Sequence, residues 1–112
     1  MKKVEAIIQP FEVEGVKEGL TRIGLQRFTV TEVKGFGGQA GPGEIYRGMR
    51  CEAPYHLEAK LEIIVPDELA RGAVAVIRET AQMDEPRGTR IFVSPLDDIE
   101  GLPTDNKRAV AA

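Results

Sequence analysis

The residues with the clearest reactive chemistry lie close together in one stretch of the chain. Cys51 is the only cysteine, His56 is the only histidine, and Arg50 directly precedes the thiol. A structural zinc site needs about four such ligands, so no Cys/His metal site is expected within one chain. A cationic neighbour favours the thiolate form, which makes Cys51 a candidate redox-sensitive thiol. The favoured alternative is an inert surface thiol, with His56 as a surface residue at the start of a strand.

Arg50 and Cys51 lie in a long predicted loop, and His56 follows it closely. Five glycines and two prolines lie between Gly37 and Pro54. Glycine raises the entropy cost of ordering and proline removes a backbone donor, so no regular element is expected there. A loop of this length within a small domain is usually functional or disordered. We therefore interpret the loop as the working part of the protein and the rest as the scaffold that presents it.

Hydrophobic periodicity predicts that scaffold. Apolar residues alternate with a period of two at 3–8 and 57–65, which predicts two strands, and further strands are predicted at 26–36 and 90–94. Spacings of three and four predict helices that begin at Glu12 and after an Asp67 N-cap, with Gly24 capping the end of the first. The segments 7–13 and 63–69 repeat one another as strand, proline stop and acidic helix start. Two such halves predict an α+β fold, a ferredoxin-like βαββαβ sandwich with both helices on one face of four antiparallel strands.

Length and composition limit the function further. The 112 residues suffice for one domain, predicted at 1–95, followed by a C-terminal tail at 96–112. A net charge of −3 gives no basic field, so nucleic acid is not an expected partner. No apolar run approaches the roughly 20 residues of a membrane span, and the first residues enter a strand directly. Neither membrane insertion nor a signal peptide is expected, and the single cysteine fits a reducing cytoplasm.

The predicted fold leaves one face of the sheet without helices. On the third strand this face carries Glu58, Lys60, Glu62 and Ile64, a set too polar for an intrachain core. Association of subunits, with charges paired between them, would explain the pattern. A solvated and salt-bridged sheet face is the alternative.

Several segments resemble the PII signal-transduction family, the nitrogen regulatory proteins. The resemblance covers nearly the whole chain up to Val93, and its carriers are the segments 1–11, 29–37, 46–48, 61–67 and 90–93. The most specific are Thr-Val-Thr-Glu-Val-Lys-Gly-Phe-Gly at 29–37 and Tyr-Arg-Gly at 46–48. The chain is identified as a divergent PII-like member. Membership implies a homotrimer that senses rather than catalyses, with nucleotide clefts between subunits and a T-loop, here about 37–55, that docks on a membrane transporter or metabolic enzyme.

The resemblance implies an adenine nucleotide as regulatory ligand and no obligatory cofactor. The residues implied to contact the base, the ribose and the loop side are Ile7, Thr29, Gly35, Phe36, Gly37, Gly38, Gln39, Glu62 and Ile64. Those implied on the phosphate side are Arg87, Gly88, Thr89 and Arg90. The glycine-rich phosphate turn of the family is replaced here by residues 83–90, in which Asp84 and Glu85 would repel a phosphate. ADP or AMP is therefore favoured over Mg-ATP, and a requirement for Mg²⁺ is not expected.

Two further departures concern the other controls of the family. The family holds 2-oxoglutarate with a loop glutamine, here Gln39, and with a lysine whose place is taken by Glu58. A carboxylate repels a dicarboxylate, so 2-oxoglutarate sensing is not expected. The tyrosine that is uridylylated in many bacterial members is replaced by Cys51. Docking on a partner is implied to use Tyr46, Arg47 and Arg50, because arginine anchors interfaces well.

The sequence thus predicts a cytoplasmic PII-like regulator. It would bind ADP, AMP or ATP between subunits and act on a transporter or enzyme through the T-loop. Alternatives are a nucleotide-independent trimeric adaptor, a sensor of another metabolite such as inorganic carbon, and a slow nucleotide hydrolase. The hydrolase is disfavoured because the sequence has neither a phosphate-cradling glycine loop nor an evident carboxylate cluster for a metal.

Overall fold

The elements of the computed structural model follow the predicted βαββαβ order. The structure describes residues 1–36, 55–81 and 89–101. Its elements are β1 (Lys2–Ile8), a 3₁₀ turn (Pro10–Glu12), α1 (Val13–Arg22), β2 (Thr29–Phe36), β3 (Tyr55–Val65), α2 (Asp67–Thr80) and β4 (Arg90–Pro95). Most of the predicted T-loop and most of the predicted tail lie outside the described residues. Within the described ranges, neither helix has the length and apolar composition needed to cross a membrane.

The four strands form one antiparallel sheet in the order β2-β3-β1-β4. β1 therefore pairs with β3 on one side and with β4 on the other, and β2 and β4 are the edge strands. The β2–β3 hairpin has Phe36 and Tyr55 as its last paired residues. These two residues flank 37–54 directly, so the base of the predicted T-loop is fixed by the sheet.

Both helices pack on one face of this sheet, and the side chains between the two layers form the core. Its fully buried large members are Val4, Ile8, Val16, Leu20, Leu25, Leu61, Ile63, Val65 and Ile77. Burial of one such aliphatic side chain contributes roughly 1.5–3 kcal/mol relative to leaving it exposed. The predicted fold class is confirmed.

The hairpin of β2 and β3 extends beyond the part of the sheet that the helices cover. Leu57 lies on the same face of β3 as Leu61 by alternation, but Leu57 is 50% exposed. Pairing between β1 and β3 stops at Ala59, whereas Leu57 pairs only with Lys34 of β2. The loop end of β3 is therefore outside the core.

The end of α1 agrees with the sequence. Gly24 has a φ of +90°, a conformation that glycine adopts at little steric cost. Its N–H donates to the carbonyl of Thr21 at 3.0 Å, and the N–H of the buried Leu25 donates to that of Leu20 at 2.9 Å. This pair of bonds is a Schellman motif in which Gly24 is the residue just beyond the C-cap, so Gly24 closes the end of the helix as predicted.

Three predicted starts differ in the structure. α1 begins at Val13, after a 3₁₀ turn in which the carboxylate of Glu12 accepts the N–H of Gln9 at 2.9 Å. α2 begins at Asp67 itself, with Pro66 in the N-cap position, so the predicted Asp67 cap is wrong. The Asp67 carboxylate instead accepts from the amino group of Met1 at 2.9 Å. β2 begins at Thr29 rather than at residue 26, because its ladder with β3 starts there.

The two helices approach each other closely where α1 contains glycine. A Cβ on Gly19 would lie 2.5 Å from Cγ1 of Val76, and one on Gly15 would lie 2.8 Å from Cγ2 of Thr80. Each glycine thus leaves room for a branched side chain of α2. Gly72 differs, because a Cβ there would meet only Cδ1 of Ile23 at 3.6 Å, an ordinary contact.

We expect Gly19→Ala to lower the free energy of unfolding by about 1–3 kcal/mol, because the added methyl overpacks the helix contact. Gly72→Ala is the matched control. It should raise the free energy of unfolding by roughly 0.5–1 kcal/mol, since alanine is the better helix residue and its methyl fits. Urea denaturation of both variants measures the difference. Equal stabilisation by both substitutions would show that the α1–α2 contact is not close at Gly19.

Candidate functional site

The face of the sheet opposite the helices, here called the open face, carries most of the described candidate residues. In β1 the residues that alternate with Val4, Ala6 and Ile8 of the core lie on this face. Cross-strand pairing then assigns the other strands. The predicted site residues on the open face are Ile7, Thr29, Gly35, Glu62, Ile64 and Arg90.

The remaining candidates are placed elsewhere or not described. Phe36 lies on the opposite face from Gly35 by the alternation of β2, and Thr89 immediately precedes β4. Thr29 and Arg90 lie in opposite edge strands, three interstrand spacings or about 14 Å apart. A single chain therefore does not bring Thr29 to Arg90. The predicted residues outside the described part of the chain are Gly37, Gly38, Gln39, Tyr46, Arg47, Arg50, Cys51, Arg87 and Gly88.

Two ion pairs cross between β1 and β3 on the open face. Nζ of Lys3 lies 3.0 Å from Oε2 of Glu62, and Nζ of Lys60 lies 3.3 Å from Oε2 of Glu5. Glu5 and Glu62 are direct cross-strand neighbours. Each acid therefore pairs diagonally with a lysine of the other strand, two residues away from its direct partner. The charges predicted to pair between subunits thus already pair within one chain. The side chains are about one-quarter to one-third exposed, so these pairs are partly solvated.

The Lys3–Glu62 pair shifts the titration of both members. The hydrogen bond from Lys3 holds the pKa of Glu62 below its usual value, although partial burial opposes the shift. The same hydrogen bond and the negative charge of Glu62 raise the pKa of Lys3. Glu62, one of the residues that the resemblance implies on the base and ribose side, is therefore an anion engaged by Lys3.

A third ion pair lies nearer to the loop base. Glu58 of β3 is 3% exposed, and its Oε1 lies 3.4 Å from Nη2 of Arg90 at the start of β4. The side chain of Arg90 remains 52% exposed. The acid is thus buried while its cationic partner is half in solvent.

Gly35 makes room for this buried acid. A Cβ at Gly35 would collide with Oε1 of Glu58 and would lie 3.0 Å from its Cδ. Gly35 is the last residue but one of β2, so the carboxylate of Glu58 rests against the backbone at the base of the predicted T-loop. The resemblance implies that Gly35 contacts a ligand, whereas here the group that approaches its backbone is the side chain of Glu58.

Thr89 is a second unusual feature at the start of β4. The residue is 6% exposed, and within the described structure its Oγ1 is buried without any hydrogen-bond partner. An unpaired buried hydroxyl is destabilising by about 1–3 kcal/mol. Such groups in native proteins call for an explanation, and a ligand that supplies the missing bond is one.

The closing pair of the hairpin forms an aromatic contact that the sequence did not predict. The rings of Phe36 and Tyr55 are 5.7 Å apart with an interplanar angle of 50°, and Nζ of Lys34 lies 4.8 Å from the centre of the Tyr55 ring. Tilted aromatic pairs and cation–π contacts each contribute roughly 0.5–1.5 kcal/mol. Both rings are substantially exposed. The hairpin register was the missing information, because the partners are separated by the whole loop.

The open face carries the guanidinium of Arg90, apolar side chains and the backbone of Gly35, whereas the unpaired hydroxyl of Thr89 lies just before β4. The described residues contain no group of three metal-ligating side chains. The described fold is a ferredoxin-like domain with a hairpin that extends past its core.

Comparison with known proteins assigns this domain to a family. A family model described as Nitrogen regulatory protein P-II matches residues 1–106. Similar relatives are the Nitrogen regulatory protein P-II of Mesorhizobium japonicum, 42% identical over 93% of both chains, and that of Bradyrhizobium diazoefficiens, 45% identical over 93% of both. Nitrogen regulatory protein P-II 1 of Escherichia coli is 44% identical over 83% of both chains. The chain belongs to the nitrogen regulatory protein P-II family, and its function is regulatory.

We expect the stability conferred by Glu62 to depend on pH. Its folded-state pKa is depressed, so its contribution is complete above the unfolded value of about 4.3 and is lost as pH falls through the folded value. Glu62→Gln should therefore lower the free energy of unfolding at pH 7 and have a much smaller effect at about pH 3. The contribution of Lys3 to stability is lost at high pH, as the pH rises through its folded-state pKa, which lies above the unfolded value of about 10.4.

Urea denaturation at several pH values measures this dependence. Glu18→Gln is the matched control, because Glu18 is exposed on α1 and forms no ion pair within the described residues. A deficit of Glu62→Gln that stays constant from pH 7 to pH 3 would contradict the assignment of the Lys3–Glu62 bond.

Proposed function

We propose that this protein is a nucleotide-responsive sensor. Adenine nucleotide binds in clefts between the subunits of a homotrimer. The presence and identity of the bound nucleotide set the conformation of the T-loop at 37–55. The T-loop then docks on a membrane transporter or a metabolic enzyme, through Tyr46, Arg47 and Arg50. The family gives the regulatory class, and the open face supports the finer assignment.

The observation that carries the proposal is the buried, unpartnered hydroxyl of Thr89 directly before Arg90. Thr89 adjoins Arg90 in the chain, and the half-exposed guanidinium of Arg90 suits a phosphate, which accepts several charge-assisted hydrogen bonds. Both residues are among those that the resemblance implies on the phosphate side. Arg87 and Gly88 would complete the phosphate end.

The base and ribose would lie along the rest of the open face. Ile7 and Ile64 are half-buried apolar side chains there, and the hydroxyl of exposed Thr29 can hydrogen-bond a base edge. Gly35 and Phe36, with Gly37, Gly38 and Gln39 beyond them, would close the site at the loop base. Glu62 would reach the ribose in exchange for part of its contact with Lys3.

A cleft between subunits reconciles these residues with the geometry. Thr29 and Arg90 lie on opposite edges of one sheet, and a cleft where two chains meet would bring such edges to one nucleotide. Phe92 supports such a meeting, because it lies beside Glu5 on the open face and is 53% exposed. An apolar ring of this exposure is suited to burial against a second chain.

A second candidate function is a trimeric adaptor that works without nucleotide. The observation that favours it is the Glu58–Arg90 ion pair, which leaves the cation at the phosphate end already neutralised. The two candidates share the T-loop and the trimer and differ in ligand dependence.

Isothermal titration calorimetry with AMP, ADP and ATP, with and without Mg²⁺, separates the two candidates. A sensor should bind one adenine nucleotide per chain in a particle whose light-scattering mass is that of three chains. 2-Oxoglutarate should give no heat, since Glu58 would repel it. No heat with any adenine nucleotide would contradict the sensor and leave the adaptor.

Substitution of Thr89 tests the phosphate end directly. Thr89→Val keeps the shape and removes the hydroxyl, so we expect ADP affinity to fall about tenfold, as for loss of one hydrogen bond to a charged group. The free energy of unfolding should stay equal or rise by up to about 1 kcal/mol, because an unpaired buried group disappears.

Thr80→Val is the matched control for that variant. The hydroxyl of Thr80 donates to the carbonyl of Val76 at 2.9 Å, so its loss should lower stability slightly and leave ADP binding unchanged. Equal ADP affinity of Thr89→Val and the wild type would show that the hydroxyl does not contact the ligand.

A further inference from the structure

The inference concerns the asymmetry of the ion pair between Glu58 and Arg90. The Glu58 side chain is 4% exposed, whereas that of Arg90 is 52% exposed. The carboxylate is also confined by the backbone of Gly35, where even a Cβ would collide with it. The acid is thus held in place, and the cation is the member that can turn toward a ligand.

A buried carboxylate depends strongly on its cation. Loss of one partner from a buried ion pair is costly, because it leaves an uncompensated charge away from water. An anion that binds the guanidinium of Arg90 must therefore either share it with Glu58 or displace Glu58 from it. In both cases part of the favourable energy of the new contact is cancelled.

We propose that Glu58 is a specificity-determining residue, an internal competitor that occupies Arg90 and weakens the binding of anionic ligands according to their charge. The proposal rests on the proposed nucleotide site. It adds that this chain discriminates between ligands with different numbers of phosphates through a carboxylate of its own, rather than only through missing phosphate contacts. A ligand without phosphate does not compete for Arg90 and is unaffected.

Charge count supports this role. Arg90 alone would present one positive charge to a phosphate, but Arg90 with Glu58 presents none. The other charges on the open face in the described residues, Lys3 with Glu62 and Lys60 with Glu5, are likewise paired. The described part of the site thus offers a polyphosphate little net positive charge, and Glu58 is the acid that is in contact with Arg90.

The test compares Glu58→Gln with the wild type by calorimetric titration with adenosine, AMP and ADP. Glutamine keeps the length of the side chain and removes its charge. We expect affinity for ADP to rise about tenfold or more, affinity for AMP to rise less, and affinity for adenosine to stay the same. A merely structural role of Glu58 would change all three affinities together.

Two further variants make the comparison specific. Glu5→Gln removes the same charge from another ion pair of the open face and should change ADP affinity by no more than about twofold, since more distant charges are screened. Glu58→Gln combined with Arg90→Gln should lose the gain, because the competitor acts only through Arg90. If Glu58→Gln does not fold, Glu58→Asp keeps the charge but shortens the reach, and a smaller gain is expected.

The outcomes separate this proposal from the proposed function. If the wild type binds ADP and Glu58→Gln binds it no more tightly, Glu58 is not a competitor. If no variant binds any adenine compound, the nucleotide assignment fails, and thermal denaturation with inorganic pyrophosphate decides the role of Glu58. A pyrophosphate-dependent rise in melting temperature for Glu58→Gln, absent from the wild type and the double variant, supports the competitor. If pyrophosphate changes the melting temperature of all three proteins by the same amount, or of none, the proposal is overturned.

Discussion

The pleat of the two central strands is the constraint on which the rest of the structure depends. Because successive side chains of a strand point to opposite faces, placing Val4 and Ile8 in the core places Ile7 on the open face. The same holds for β3, where burial of Leu61 and Ile63 fixes Glu62. A slip of one residue would exchange the two faces and bury the lysines and glutamates. The core therefore determines which residues the open face can offer to a ligand.

The ion pairs of the open face fall into two kinds. Lys3–Glu62 and Lys60–Glu5 are partly solvated, and pairs of this kind contribute little to stability. Glu5 faces Glu62 directly across β1 and β3, and two like charges in this position repel each other. The two lysines offset this repulsion and so favour the observed register. Glu58 is different because it is buried, so its ion pair with Arg90 constrains two strands that are not adjacent in the sheet.

Periodicity was sufficient for the strands, the helices and the Gly24 turn, because each depends on residues close together in sequence. The predicted Asp67 cap is wrong because Pro66, which is extended with a φ of −62° and a ψ of 151°, occupies the N-cap position and Asp67 is already helical. Placement of Ile7, Gly35 and Glu62 on one face followed from alternation once the fold was known.

The Glu58–Arg90 ion pair could not be predicted from alternation. Its members are 32 residues apart in sequence, and only the register across three strands brings them together. No local pattern distinguishes the buried hydroxyl of Thr89 from an exposed one.

The position of Glu58 connects the two ends of the proposed site. A ligand can shift the conformation of a loop only through a difference in its affinity for the two states. Phosphates at Arg90 would change the surroundings of Glu58, and Glu58 rests on Gly35, immediately before the closing pair of the hairpin. A turn of Arg90 away from Glu58 would therefore change the charge balance beside Gly35 at the loop base without any contact between the phosphates and the loop itself. If the proposed ligand binds at Arg90, Glu58 would link its charge to the base of the predicted T-loop, because Glu58 contacts both Arg90 and the backbone of Gly35.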